Sequence, residues 1–569
     1  MLQKGTQAPS TPPDLTPAES QIRRGMPLRL VLQTRALQRN LKPTSLRWLQ
    51  VATLLGSIFA LSIFVRVPML NKPLCRPREW LSANVLRTIQ TWHETGIARN
   101  HFSLIMTYPG QADKNINNVN NYGSALSDSL GNSYYISYPP LAYYVPYVIF
   151  ETLRIDPGVL PLQVLSLILH FITGLCVYLA LKILVDSGNE FCVAAIVGFA
   201  IYIFSPQTLW LQANVYMCDI FVQVLFAAGI YFVLKWAKYG PVGTRSYLML
   251  GLLLFSFVYA EWLGVFFGIF LLLFAFFNRA QAWAKGFAVA VTIGMAAAVV
   301  VTALQYSSIN GFANFVSSLF ERYMLRSGLG YQPEMNFHPW NLLGWLLLVT
   351  YIILAYGADL VLVATWLAFD RGQTAPPLTK TMKAALLCTA VLPPLMHHLV
   401  LINFTADHEF STLKDAPIIS IVGGLLAWHV WRRAGLRWRA LVLTSLAFFG
   451  VAAVWEYRII VGPKITGYKE IGEYISKAAE PDEVLFLRSQ DSNRRTNEPF
   501  PQTIWYAHRN IARWQNQAQA RELVRRNGLS KAAVFVLDRE ESRVIEHIRI
   551  DFNHLNQQNS SGDTSNSLY

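Results

Sequence analysis

Eleven apolar runs succeed one another along the chain, at residues 48–68, 159–185, 191–210, 216–236, 246–261, 263–278, 286–305, 341–369, 382–403, 416–431 and 440–461. About 20 consecutive apolar residues carry a helix across a bilayer. The pattern therefore predicts a mainly α protein, a polytopic membrane helical bundle of about 11 spans over 48–461. Beyond 461 the pattern changes. "GYKEIGEYISKAAEPDEVLFLRS" reads as a helix then a strand, "AQARELVRRNGLS" as a helix and "KAAVFVLDRE" as a strand. These predict a small α/β domain over 462–553, with a polar, disordered tail over 554–569.

The run at 132–150, "NSYYISYPPLAYYVPYVIF", is apolar enough to be taken for a twelfth span. Charge placement argues otherwise. Short connections at 186–190, 237–245, 279–285, 370–381 and 432–439 hold Lys238, Arg245, Arg279, Lys285, Arg371, Lys380, Arg432, Arg433, Arg437 and Arg439. With 132–150 outside the count, these loops share a side with the basic tail 1–47, as cytoplasmic loops do. Pro139, Pro140 and Pro146 also interrupt helical hydrogen bonding, and tyrosine prefers the membrane interface. The segment is read as lying in the outer leaflet. The outer face then comprises loops 69–158, 211–219, 306–340 and 404–415, the turn at Glu261 and the region 462–553.

Composition agrees with a membrane protein: 53% of the 569 residues are hydrophobic and 14% charged, against about 25% charged in soluble domains. The formal charge of +14 sits in those short connections, which excludes a nucleic-acid groove. The leader 1–47 is longer than a signal peptide, and no A-x-A site follows the first run, so it reads as a cytoplasmic tail. Cysteines 75, 176, 192, 218 and 388 show neither a disulfide framework nor zinc-ligand spacing.

Unusual polar residues gather on the predicted outer face. In "CRPREWLSANVLRTIQTWHETG", Trp80, Val85, Ile89 and Trp92 fit an amphipathic helix on the membrane surface, with Glu79 at its start. Asp219 occupies the first turn of a span, where an ionisable group marks a functional site. Glu261 lies in a tight helical hairpin. Arg322 and Arg326, four apart, share a helix face suited to an anion. In "FTADHEFSTLKD", His408 and Lys414 are placed to hold a phosphate or hydroxyl, and His titrates near neutral pH. Tyr138, Tyr143 and Tyr144 are expected wall residues. No metal site is predicted, although carboxylates beside a phosphate leave a divalent cation open.

The order of these features is similar to that of the GT-C glycosyltransferases of the protein O-mannosyltransferase and aminoarabinose transferase type. It runs from one span through a long outer loop with an acidic residue on an amphipathic helix, Y-P-P-L-x-Y-Y and two spans to an Asp opening the next helix. "HEFSTLK" and "IWYAHRN" extend the likeness to about residue 510. The resemblance implies transfer of a sugar from a polyprenyl-phosphate donor at the outer leaflet of an inner or plasma membrane, with Glu79 and Asp219 catalytic. Glu261, Arg322, Arg326, His408, Lys414 and the three tyrosines are expected to bind substrate. Where the family carries an acidic residue before Glu79, this chain has Arg78. A transporter, with His397, His398 and Asp359 as a polar path, and an inactive partner protein are the rival readings. The chain shows no internal repeat or paired interrupted segments of the kind transporters carry.

Overall fold

The computed structural model describes residues 43–117, 125–185, 192–330, 341–369, 378–433, 435–463, 467–490, 499–538, 540 and 542–553. The expected tails at 1–42 and 554–569, the loop portion 331–340 and the connections at 186–190 and 370–377 lie outside them. The chain divides into two units, residues 1–57 with 189–191, and the remainder. Of the first, residues 43–57 are described, the start of helix Pro43–Arg66. Apart from the count of apolar helices, which includes Arg47–Met69, everything below concerns the second.

Eight described helices are long and apolar enough to cross a membrane, nine if Val193–Phe204 and Pro206–Asn214 form one bent span. The expected spans at 246–261 and 263–278 are helices of 15 residues, Thr244–Val258 and Leu263–Phe277. At 1.5 Å per residue each is about 22 Å long, short of the roughly 30 Å hydrocarbon core.

Two expected straight spans are broken. Val193–Phe204 and Pro206–Asn214 meet at 61°, because Pro206 has no amide to continue the hydrogen-bond ladder across Ser205. Helix Leu342–Phe369 is interrupted at Tyr356 (φ −135°, ψ 22°). A π turn at Leu387–Val391 precedes Pro393 and Pro394, whose rings disturb the preceding turn.

In the first loop, helix Trp80–Thr95 does not lie on a surface as expected. Leu81, Val85, Ile89 and Trp92 are buried, but so are Ser82, Arg87, Thr88 and Thr91 on its other sides. Two of the polar groups find partners inside: the Thr88 hydroxyl donates to the Ile105 carbonyl (2.9 Å) and Trp92 Nε1 to the Ser103 carbonyl (3.1 Å). Those carbonyls belong to or precede strand β1 (Leu104–Ile105), which joins β2 (Ala125–Ser127) and β3 (Ser133–Tyr135) in a sheet of order β1-β3-β2. After β3 the 132–150 segment continues as helix Leu141–Leu153. Its 13 residues reach about 20 Å, too short to span.

The 462–553 region forms a sheet of order β5-β4-β6-β7, from β4 (Glu483–Ser489), β5 (Ile511–Arg513), β6 (Lys531–Leu537) and β7 (Val544–Asp551). β4 runs parallel to β5 and β6, and β7 antiparallel to β6. Alternate residues of β4 face opposite cores. Leu485 and Leu487 pack with Ile471, Ile475 and Ile504, while Val484 and Phe486 pack with Val524 and Val534. The first loop completes both cores, Tyr108 in one and Ala112 with Ile116 in the other. Asp113, buried between them, pairs with Arg509 Nε (3.1 Å) and accepts the Asn510 amide (2.6 Å). Burial raises its proton affinity, and Arg509 opposes that.

Candidate functional site

Helix Cys218–Tyr239 starts after an extended Met217, placing Asp219 in its first turn, where free amides favour a carboxylate. The 3₁₀ segment Glu409–Asp415 brings Lys414 against it, with Nζ 2.5 Å from Asp219 Oδ1. The same ammonium lies 3.7 Å from Glu261 Oε1. Glu261 accepts the Leu263 amide on Oε2 (2.7 Å), capping the next helix, and faces His397 Nε2 on Oε1 (3.3 Å). None of the four side chains is more than 1% exposed. Buried charge of this kind is tolerated only when paired and hydrogen bonded.

A second group adjoins it. Helix Phe312–Ser327 carries Arg326, whose guanidinium lies 4.5 Å from the Tyr138 ring and 4.6 Å from the Phe404 ring. Stacking on two aromatic faces stabilises the cation without neutralising it. Its Nε and Nη2, and Nε of Arg322, are buried and meet no acceptor in hydrogen-bonding geometry. Burial and the neighbouring Arg326 lower the pKa of Arg322. His408 stacks on Phe404 at 4.7 Å, and its Nδ1 donates to the Phe404 carbonyl (3.1 Å). Burial, then Arg78 and Arg326, push its pKa down to about 3. The ring is therefore held neutral at physiological pH.

Arg78, in left-handed conformation (φ 69°), forms a two-pronged ion pair with Glu409, fastening the first loop to the segment that carries Lys414. Glu79 begins helix Trp80–Thr95 and takes the amides of Cys75 (2.6 Å) and Arg76 (2.7 Å) on Oε2. Burial raises its pKa to about 7 against those two bonds. Three residues on, Ser82 Oγ accepts the Tyr216 amide (2.9 Å), three residues before Asp219. Glu79 thus sits between two ties to the segments bearing Lys414 and Asp219, without joining their ion pairs.

The tyrosines divide. Tyr138 covers Arg326. Tyr143 is buried in helix Leu141–Leu153, which the Tyr216 hydroxyl joins at the Ala142 carbonyl (2.8 Å). Tyr144 does not reach the ionic cluster. Its hydroxyl donates to the Phe102 carbonyl (2.5 Å) and accepts from Gln305 Nε2 (3.0 Å), so it anchors the loop.

Among the described residues no three His, Cys, Asp or Glu side chains are grouped to hold a metal ion. The Lys414 ammonium fills the space between the two carboxylates.

His397 and His398, which only the rival transporter reading put to use, have partners that the sequence does not show. His397 belongs to the cluster, while His398 Nε2 donates to Asp415 Oδ2 (3.1 Å). The signal was available, since ionisable residues inside an apolar run mark function. What paired them was not.

No protein-family model and no curated protein sequence matches the chain. Solved structures do. The ArnT of Cupriavidus metallidurans bound to undecaprenyl phosphate superposes with a TM-score of 0.55 at 12% identity, over 85% of this chain and 92% of that one. Its apo state gives 0.53 at 10% identity, over 87% and 94%. The archaeal oligosaccharyltransferase AglB of Archaeoglobus fulgidus, in complex with an inhibitory peptide and a dolichol-phosphate, gives 0.50 at 13% identity, over 85% and 69%. All are GT-C glycosyltransferases. With buried polar clusters on a bundle of apolar helices superposable on theirs, this chain has the GT-C fold.

Proposed function

We propose that the protein is a membrane glycosyltransferase that moves a sugar from a polyprenyl-phosphate donor to a hydroxyl acceptor at the outer leaflet. The observation that carries the reading is the cationic lining, Lys414 held by two carboxylates beside Arg326 with two nitrogens unspent. Unspent donors in a water-poor site are what a departing phosphate monoester needs. The lipid phosphates named for the ArnT and AglB structures agree with that donor class. The basic connections, read as cytoplasmic, support an outer position for the first loop and the 462–553 region.

Glu79, with a proton affinity near pH 7, suits a general base. Its carboxylate takes the acceptor's hydroxyl proton as that oxygen bonds to the anomeric carbon. The bond from the anomeric carbon to the phosphate oxygen breaks, and the lipid phosphate leaves with the electron pair. Arg326 and Lys414 receive its charge. A single displacement of this kind inverts the anomeric centre. Asp219 and Glu261 hold Lys414 in place and keep it charged.

The test is sugar release from a labelled polyprenyl-phosphate sugar by purified wild type, Glu79→Gln and Asp219→Asn. Loss of at least a hundredfold in both is expected. Equal rates in all three overturn the site, and substrate uptake into sealed vesicles without transfer overturns the reaction.

A further inference from the structure

Helix Leu342–Phe369 is broken at Tyr356, and a break of this kind frees backbone amides that must be satisfied inside the bundle. The freed amides are taken by a side chain from another helix. Glu456, in helix Leu436–Ile460, accepts the Gly357 amide on Oε1 (3.1 Å) and the Ala358 amide on Oε2 (3.0 Å). Gly357 permits the approach, because a Cβ there would stand 2.9 Å from Glu456 Oε1. The break also redirects Tyr356. Its fully buried hydroxyl donates to the Thr412 carbonyl (2.8 Å), two residues before Lys414 in the 3₁₀ segment. Thr412 Oγ1 in turn donates to the Glu409 carbonyl (2.8 Å). The break of the other broken span is tied to the same helix, since Ser205 Oγ donates to Asp359 Oδ1 (2.7 Å), three residues beyond Tyr356.

We infer that Glu456 is a positioning residue: by capping the break in Leu342–Phe369 it fixes Tyr356 against Thr412, and through that segment it sets Lys414 against Asp219. A straight helix would satisfy amides 357 and 358 internally and carry Tyr356 elsewhere. The 409–415 segment would then lose that hydroxyl. The contribution of Lys414 to lipid binding rests on the function proposed above; its positioning does not.

Two measurements on the full chain in nanodiscs test this. The first is amide hydrogen exchange in wild type, Glu456→Ala and Tyr356→Phe. Exchange at 409–415 is expected to quicken about fivefold in both variants, the loss of one hydrogen bond, with β4 and β6 unchanged. Deprotection at 357–358 alone, with 409–415 as in wild type, overturns the inference. The second is affinity for undecaprenyl phosphate in a double-mutant cycle. Tyr356→Phe is expected to weaken binding about fivefold in wild type and not at all in Lys414→Gln. Equal losses in both backgrounds indicate general destabilisation and overturn it. If wild type does not bind this lipid, the donor reading fails and the exchange result decides the positioning role alone. Should Glu456→Ala fail to fold, Glu456→Gln, which keeps one acceptor oxygen, and Tyr356→Phe carry the exchange test.

Discussion

Replacing Glu79 by Gln separates stability from catalysis at one atom. The carboxyl is 5% exposed, and its pKa rises from 4.5 to about 7, chiefly by burial. The unfolded chain releases this proton near pH 4.5 and the native protein near 7. Between those values the native state binds more protons, so stability falls as pH rises through the window and the loss is complete above pH 7. At about 1.36 kcal/mol per pH unit the loss is about 3 kcal/mol. Gln keeps an oxygen for the Cys75 and Arg76 amides and carries no proton to lose. Glu79→Gln should therefore match wild type near pH 4.5 and exceed it by up to about 3 kcal/mol above pH 7. Asp113 and Asp407 also have raised proton affinities, but they are common to both proteins and cancel in the difference. The assay is unfolding of detergent-solubilised protein followed by tryptophan fluorescence from pH 4.5 to 8.5, with sugar transfer measured on the same samples. The stabilised variant should be inactive, while the wild-type rate rises with an apparent pKa about 7. Parallel stability curves for the two proteins would show that Glu79 carries no displaced proton, and the base assignment would fall with it.

Breaking the buried pair by Lys414→Gln or Asp219→Asn alone should cost about 3–5 kcal/mol, and the double variant less than the sum, as read by thermal unfolding. Arg326→Lys loses the flat contact with Tyr138 and Phe404 and should weaken undecaprenyl phosphate binding about tenfold, with kcat for transfer less affected. Arg509→Ala leaves the buried Asp113 carboxylate short of its cation. It should destabilise by about 3 kcal/mol and expose the 104–117 stretch to limited proteolysis.

Burial and chain position made part of this molecule legible in advance. Asp219 stood out because it opens an otherwise uncharged span, and Arg322 with Arg326 because their spacing puts them on one face. The 132–150 segment was separated from the spans by loop charge and by its prolines and tyrosines, and its helix of 13 residues is too short to cross. The breaks were harder. Pro206 and the Pro393–Pro394 pair carry a local signal, but the break at Tyr356 has none, and the acceptor of the amides beyond it, Glu456, lies 100 residues away. The Lys414, Asp219, Glu261 and His397 cluster escaped for the same reason. Its members come from four segments, and one sequence states their chemistry without their pairing. Helix Trp80–Thr95 was misplaced because its hydrophobic stripe is indistinguishable from that of a surface helix until Ser82 and Thr88 find partners inside.

The threading of residues 108–116 through both cores of the four-stranded sheet fixes an order of events during synthesis. Tyr108, Ala112 and Ile116 emerge early, and β6, the later of the two strands they pack with, begins only at Lys531, more than 400 residues on. Closing contacts of such sequence separation is slow. Until then the first loop holds exposed apolar residues, and a nascent chain interrupted before residue 531 leaves them bare. Chaperone or translocon occupancy at 104–117, released only when the carboxy-terminal strands appear, is the expected signature of assembly.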